Sequence, residues 1–455
     1  MATHSNLIII GAGPGGYETA LEAAKRGKSV TLFNGGLLGG TCLNEGCIPT
    51  KSLCRDSEIV TLFKEADRYG IDDFTFTVEF SRIMARKNDV VSQLREGIAV
   101  MLRQAKVNVV ESKGQFKDSK TVVSDSGEEY TADDIIIATG SISKSLPIPG
   151  ADLGCVMDSS DILNIDHVPA SLVIIGGGVI GMEFASIFAG LGSKVTVIEF
   201  MKQILPPFDS DIAKRLKQAL SKRGIDIITG AAAKCINLNE DNEVVVTYEF
   251  KGKEETVIST DLLMAVGRAP RIDGLNLEAA GVEYSAKGIP VDDRMRTNIE
   301  HIYAVGDVNA RMMLAHVASY QGVRALNTID GKNDKIRFDI VPSAVFTLPE
   351  CGMVGVTEDE CKQKDIPVLV GKSFYRANGK ALAMGESEGI CKLIFHRETK
   401  QLVGAHIMGA DAALLAQEAA DLMNTGATLE DIEDIVFGHP TLSEVVLSAC
   451  KNVKV

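Results

Sequence analysis

Residues 7–34, LIIIGAGPGGYETALEAAKRGKSVTLFN, and residues 172–199, LVIIGGGVIGMEFASIFAGLGSKVTVIE, align without a gap at an offset of 165. Each is an apolar run, a G-x-G-x-x-G turn, a helical pattern, a glycine and a second apolar run; the glycines are Gly11, Gly13 and Gly16, then Gly176, Gly178 and Gly181. A single motif of this kind is weak evidence. Two copies, each after a strand pattern and before a helix, point to a chain built twice on a dinucleotide-binding β-α-β unit. The glycines let the backbone approach a pyrophosphate, which then sits at a helix N-terminus carrying about half a positive charge. That local field matters, because the chain has a net charge of −14 and would otherwise repel such a ligand.

The same charge, with no basic run, argues against nucleic acid as a partner. The most apolar stretch, 171–198, is broken by Gly, Glu183 and Lys194 and reads as strand, turn, helix and strand, not as a membrane span. Nine cysteines, an odd number, follow no secretory signal, so free thiols in a reducing, cytoplasmic setting are expected.

The two copies end differently. Glu199 closes the second strand of the later copy, where an acid accepts hydrogen bonds from an adenosine ribose and repels a 2′-phosphate, favouring NAD over NADP. The equivalent position in the first copy is Asn34. DDIIIATG (133–140) and TDLLMAVG (260–267) each read as a last strand entering a glycine turn, SKSLPIPGA (143–151) as a Pro-rich crossing, and HIYAVGDV (301–308) as one more strand. The expected class is therefore α/β, with one Rossmann-like unit inserted into another: residues 1–145, an inserted 146–269, and a return over 270–340. From Val341 the glycine motif is absent; a hairpin at 390–407 and an Ala-rich helix at 411–424 predict a separate α+β unit over 341–455.

Residues 41–51 read TCLNEGCIPTK. This is not zinc spacing, and there is no second pair. Five residues of regular helix rise ~7.5 Å, beyond the ~7 Å limit for disulfide-linked Cα atoms. A Cys42–Cys47 bond thus needs a bent turn, which Gly46 and Pro49 would permit, and such a bond is reducible. A dithiol beside a two-electron cofactor is a relay.

GGTCLNEGCIPTK resembles the redox-active segment of the pyridine nucleotide–disulfide oxidoreductases, most of all that of their dihydrolipoamide dehydrogenase branch. The first glycine motif, this segment, ATGS, GGGVIGMEF, VGRAP, YAVGDV and GHPTLSE occur in the family's order along nearly the whole chain. The resemblance implies FAD in the first unit, NAD in the inserted one, and a homodimer formed through the C-terminal unit. Cys42 would be the thiol that meets substrate and Cys47 the thiol facing the flavin. Lys51 would lie near the flavin ring, paired with Glu183; His439 would be the acid–base group, oriented by Glu444. Gly11, Gly13, Gly16, Asn34, Thr41, Lys51, Gly114, Thr139, Gly140, Asp307 and Ala315 would contact FAD. Gly176, Gly178, Gly181, Glu199, Gly267 and Arg268 would contact NAD. The implied reaction oxidises dihydrolipoamide borne by a separate lipoyl carrier, of a 2-oxoacid dehydrogenase or glycine cleavage complex, and reduces NAD.

Taken singly, these residues have plain alternatives: a surface lysine at 51, a helix-dipole partner at Glu183, a loop histidine at 439. Thr441 and Glu444 also fit an S/T-x-x-E capping box. Two departures from the family stand out: Asn34 replaces the usual acid, and Phe437–Gly438 replace a commonly seen second histidine before His439. Another NAD(P)H-dependent disulfide reductase of the family, and a non-catalytic NAD-sensing or scaffold module, are the competing readings.

Overall fold

The computed structural model describes residues 2–454. Leu7–Ile10 is a continuous buried apolar run, as a strand covered on both faces demands. Its strand, Thr3–Ile10, pairs in parallel with Val30–Phe33 on one side and Glu129–Ile137 on the other. Asn108–Val110 and Ile302–Ala304 extend the parallel sheet at its two ends. The first helix, Pro14–Lys25, packs against the helix Ala315–Ile329 that follows the returning strand.

The inserted unit repeats the plan. Ser171–Ile175 lies between Lys194–Glu199 and Asp261–Met264, all parallel, with Asp226–Thr229 and Val156–Met157 outside them. A three-stranded antiparallel meander, Ala231–Leu238, Val244–Phe250 and Lys253–Ser259, is appended. The chain leaves and re-enters the first unit through one two-stranded ribbon, in which Ser141–Ser143 runs antiparallel to Arg268–Pro270.

From Ser343 the sheet is antiparallel and five-stranded. Helix Ala412–Thr425 packs on Cys351–Gly355 and Leu402–Met408; helix Glu444–Lys451 packs on Val368–Phe374 and Ile390–His396. A sealed ion cluster fastens this unit to the inserted one. Lys392, only 1% exposed, donates to both oxygens of Asp209 at 2.7 and 2.8 Å and approaches Glu358 at 2.7 Å and Asp211 at 3.1 Å. Asp209 is itself the N-cap of helix Ser210–Lys222. Among the described residues no helix is long and apolar enough to cross a membrane.

Candidate active site

Both glycine turns open into one continuous cleft of about 1770 Å³, which Cys42, Cys47, Lys51 and Glu183 also line. The three glycines of each turn do different work. A Cβ on Gly11 or Gly176 would stand 2.3 or 2.4 Å from the carbonyl oxygen of Ala138 or Ala265. On Gly16 or Gly181 it would stand 1.8 or 2.0 Å from the oxygen of Gly11 or Gly176. Those four are glycine because the chain packs on itself. At Gly13 a Cβ would meet only Gly40 Cα at 3.9 Å, and at Gly178 nothing within 4 Å. The middle glycines thus clear space for a ligand. Gly13 and Gly178 are also the N-caps of their helices, with no side-chain cap and no acid in the first turn, so free N–H groups face the cleft. Two pyrophosphates fit these two cradles.

The thiols sit at a break between helices. Gly40–Asn44 ends at Glu45, and Cys47 opens helix Cys47–Lys64. The break spans Glu45 and Gly46, and a Cβ on Gly46 would lie 3.0 Å from the oxygen of Thr41. Pro49 does not bend the chain: it stands in the first turn of the second helix, where a missing N–H costs no hydrogen bond. The two thiols are not bonded to each other in this structure. Cys42 donates a hydrogen bond to Cys47, which raises its own pKa, and burial raises it further. The same bond lowers the Cys47 pKa to about 7 against the effect of burial, and Lys51 lowers it too.

Lys51, on the second of those helices, reaches Glu183 on helix Val179–Leu191 of the inserted unit, donating to both carboxylate oxygens at 2.9 Å. Burial opposes the lysine's charge, but Glu183 outweighs it and holds the pKa above the ordinary value. Glu183 is 3% exposed and also accepts the backbone N–H of Phe346, whose ring lies 4.8 Å from the lysine nitrogen. Phe346 thus belongs to the site, although no local motif marks it.

The remaining residues assigned to cofactors divide in two. Asn34, Thr41, Gly114, Thr139, Gly140, Asp307, Ala315, Glu199, Gly267 and Arg268 all line the cleft. Several are nevertheless engaged with protein. The Thr139 hydroxyl donates to the carbonyl of Arg271, and a Cβ on Gly114 would press the Phe33 ring at 2.9 Å. Asp307 accepts the Ser141 hydroxyl, and Arg268 donates to that same hydroxyl and to the Ser141 carbonyl. Arg268 therefore braces the ribbon between the units. Glu199, 7% exposed, accepts the N–H groups of Gly177 and Met201.

His439 does not line the cleft. Its side chain is 78% exposed, with Nδ1 3.1 Å from Oε1 of Glu444. The other oxygen of Glu444 accepts the N–H of Thr441 at 3.0 Å. The anticipated capping box is only half formed, because the Thr441 hydroxyl donates to the Gly438 carbonyl and Ser443 takes the N-cap position. Glu444 is held below the usual carboxylate range by the Thr441 N–H and by His439.

Comparison with known proteins agrees with this arrangement. The pyridine nucleotide-disulphide oxidoreductase family matches residues 5–322, and the family's dimerisation domain matches 341–450. Dihydrolipoyl dehydrogenase of Bacillus subtilis (strain 168) is 39% identical over 450 residues, 97% of each chain. The Haloferax volcanii enzyme of the same name is 40% identical over 462 residues, 99% of this chain and 97% of its own. Among solved structures, the Cu(II) complex of RclA, an HOCl-induced flavoprotein disulfide reductase from Escherichia coli, superposes with a TM-score of 0.90 at 30% identity, covering 100% of both chains. The chain belongs to the pyridine nucleotide-disulphide oxidoreductase family. It is a flavoprotein disulfide oxidoreductase whose cofactors are FAD and NAD(H).

Proposed function

Starting from that membership, we propose that the protein is a homodimer that oxidises dihydrolipoamide, presented by a lipoyl-bearing carrier of a 2-oxoacid dehydrogenase or glycine cleavage complex, and reduces NAD+. The observation that carries this reading is the single cleft joining a half-buried thiol pair to two glycine cradles. FAD fits the Gly11–Gly16 cradle beside the thiols, and NAD fits the Gly176–Gly181 cradle, where the Glu199 carboxylate disfavours a 2′-phosphate. Bound FAD would supply two-electron chemistry, and NAD+ held at the second cradle would be the hydride acceptor.

The chain's own groups handle the thiols. A substrate thiol of pKa ~8.5 is mostly protonated at neutral pH. His439, oriented by Glu444, takes its proton. The substrate thiolate attacks Sγ of Cys42 in the Cys42–Cys47 disulfide, forming a mixed disulfide and releasing Cys47 as thiolate. The second substrate thiol, losing its proton, attacks the substrate sulfur of that mixed disulfide. Closed lipoamide leaves, and Cys42 remains as thiolate to take up a proton. Two electrons have then moved from substrate to the enzyme's sulfurs. The Cys47 thiolate is stabilised by the Cys42 thiol, by Lys51 and by its place at a helix N-terminus. Glu183 fixes Lys51 in place for that task.

Purified protein loaded with FAD should reduce NAD+ with dihydrolipoamide, and much less NADP+. Absence of that activity, with vigorous NADH oxidation by another disulfide, would favour the second reading, a reductase like the Escherichia coli protein. Phe437 and Gly438 before His439 are the feature that keeps this reading in play.

A further inference from the structure

The two repeats part company at the adenosine end of their cradles. In the later copy the strand-closing residue is a carboxylate, Glu199. In the first it is Asn34, 5% exposed, whose side-chain nitrogen donates to Oε2 of Glu111 at 2.6 Å. The register of the sheet produces this pairing. Phe33 lies opposite Val110, the Asn34 N–H donates to the Val110 carbonyl, and so the next residue on each strand comes side by side. Asn34 lines the cleft, whereas Glu111 stands behind it on the exposed edge.

A carboxylate only accepts, so the amide group facing it must be the –NH2. That settles the side chain's orientation and leaves Oδ1, with the second N–H of the amide, to meet a ligand from the cleft. A hydrogen bond to an ionised acceptor is roughly twice as strong as a neutral one and polarises the amide, making its oxygen a better acceptor. We infer that Glu111 is a positioning residue for FAD: it presents Asn34 Oδ1 to the adenosine ribose and lends the subsite its missing negative charge through the amide. This rests on the placement of FAD in the first cradle.

The inference reverses an otherwise natural expectation. Restoring an acid at position 34 would seem to improve a ribose site. Beside Glu111 it would instead set two carboxylates against each other where a donor now stands, and like charges disfavour joint ionisation.

The test uses full-length protein stripped of flavin, with FAD affinity measured by quenching of flavin fluorescence. Native protein should rebind one FAD per chain. Glu111→Gln should bind roughly threefold more weakly, since its hydrogen bond is no longer charge-assisted. Asn34→Asp should bind roughly tenfold more weakly, because two acceptors then face each other with no donor between them. Asn34→Asp combined with Glu111→Gln should return to within about twofold of native, because a carboxylate now faces an amide donor. The double variant also shows that the loss in the single one is not a folding defect. If Asn34→Asp binds FAD as tightly as native or more tightly while native rebinds normally, the role of Glu111 is wrong and the placement of FAD stands. If native protein rebinds no FAD, both fall.

Discussion

The thiol pair and the histidine are both required by the proposed chemistry, yet the protein treats them in opposite ways. Cys42 and Cys47 sit within the cleft, on helices packed into the first unit. His439 stands on the surface of the last unit, 78% exposed. That unit is fastened to the inserted one, with Lys392 sealed against Asp209. We propose that this base, oriented by a carboxylate but facing solvent in its own chain, acts on the cleft of a partner subunit. In a family with a dimerisation domain, the natural complement is the cleft of a second copy.

The largest expected effect falls on the enclosed side. Cys47→Ser should lower dihydrolipoamide-dependent NAD+ reduction by about 10³-fold or more, since no disulfide can form, while FAD remains bound. Steady-state rates and the flavin spectrum check both halves of that statement. Retention of activity would remove the dithiol from the mechanism.

His439→Gln should cost about 10²–10⁴-fold in the same assay, the usual worth of general acid–base catalysis, and leave FAD binding intact. Glu444→Gln should cost less, because the imidazole remains. Equal loss in both variants would make Glu444 more than an orienting group.

Breaking the fastening between units should appear in stability. Asp209→Asn leaves Lys392 short of a buried counter-charge and should destabilise the protein by about 3–5 kcal/mol, read from denaturant unfolding. A change under 1 kcal/mol would mean that Glu358 and Asp211 suffice.

A smaller effect separates the two cradles. Glu199→Arg should narrow the preference for NAD+ over NADP+ by roughly tenfold while leaving FAD in place. Equal use of both cofactors by the native protein would contradict the role of Glu199. Smallest is the shift in thiol ionisation. In reduced protein, Cys47 should gain reactivity toward iodoacetamide as pH rises through about 7, because its lowered pKa exposes the thiolate there. Lys51→Met should move that midpoint upward by about one unit.

What was legible in the residues themselves shares one property: the interacting residues lie close together in the chain or in a fixed pattern; the one distant pair foreseen, Lys51 with Glu183 across 132 positions, came from the family resemblance. The glycine turns, the Cys42–Cys47 spacing and the His439–Glu444 pair are of this kind. So is the parallel-sheet architecture, because each buried run is bracketed by its own turn. What was not legible joins distant residues. Glu111 meets Asn34 across 77 positions, Phe346 meets Glu183 across 163, Ser141 meets Asp307 across 166, and Lys392 meets Asp209 across 183. Sheet register and the packing of units decide those contacts, and no local pattern encodes them.

The measurement that tests the shared site most directly is complementation between two inactive subunits. His439→Gln and Cys42→Ser chains, each with a different affinity tag, are coexpressed, and the mixed dimer is isolated through both tags. Neither parent homodimer has a complete site. In the mixed dimer one cleft pairs intact thiols with an intact histidine, so the account predicts recovery of about half the native activity per dimer. A mixed dimer no more active than its parents would contradict it.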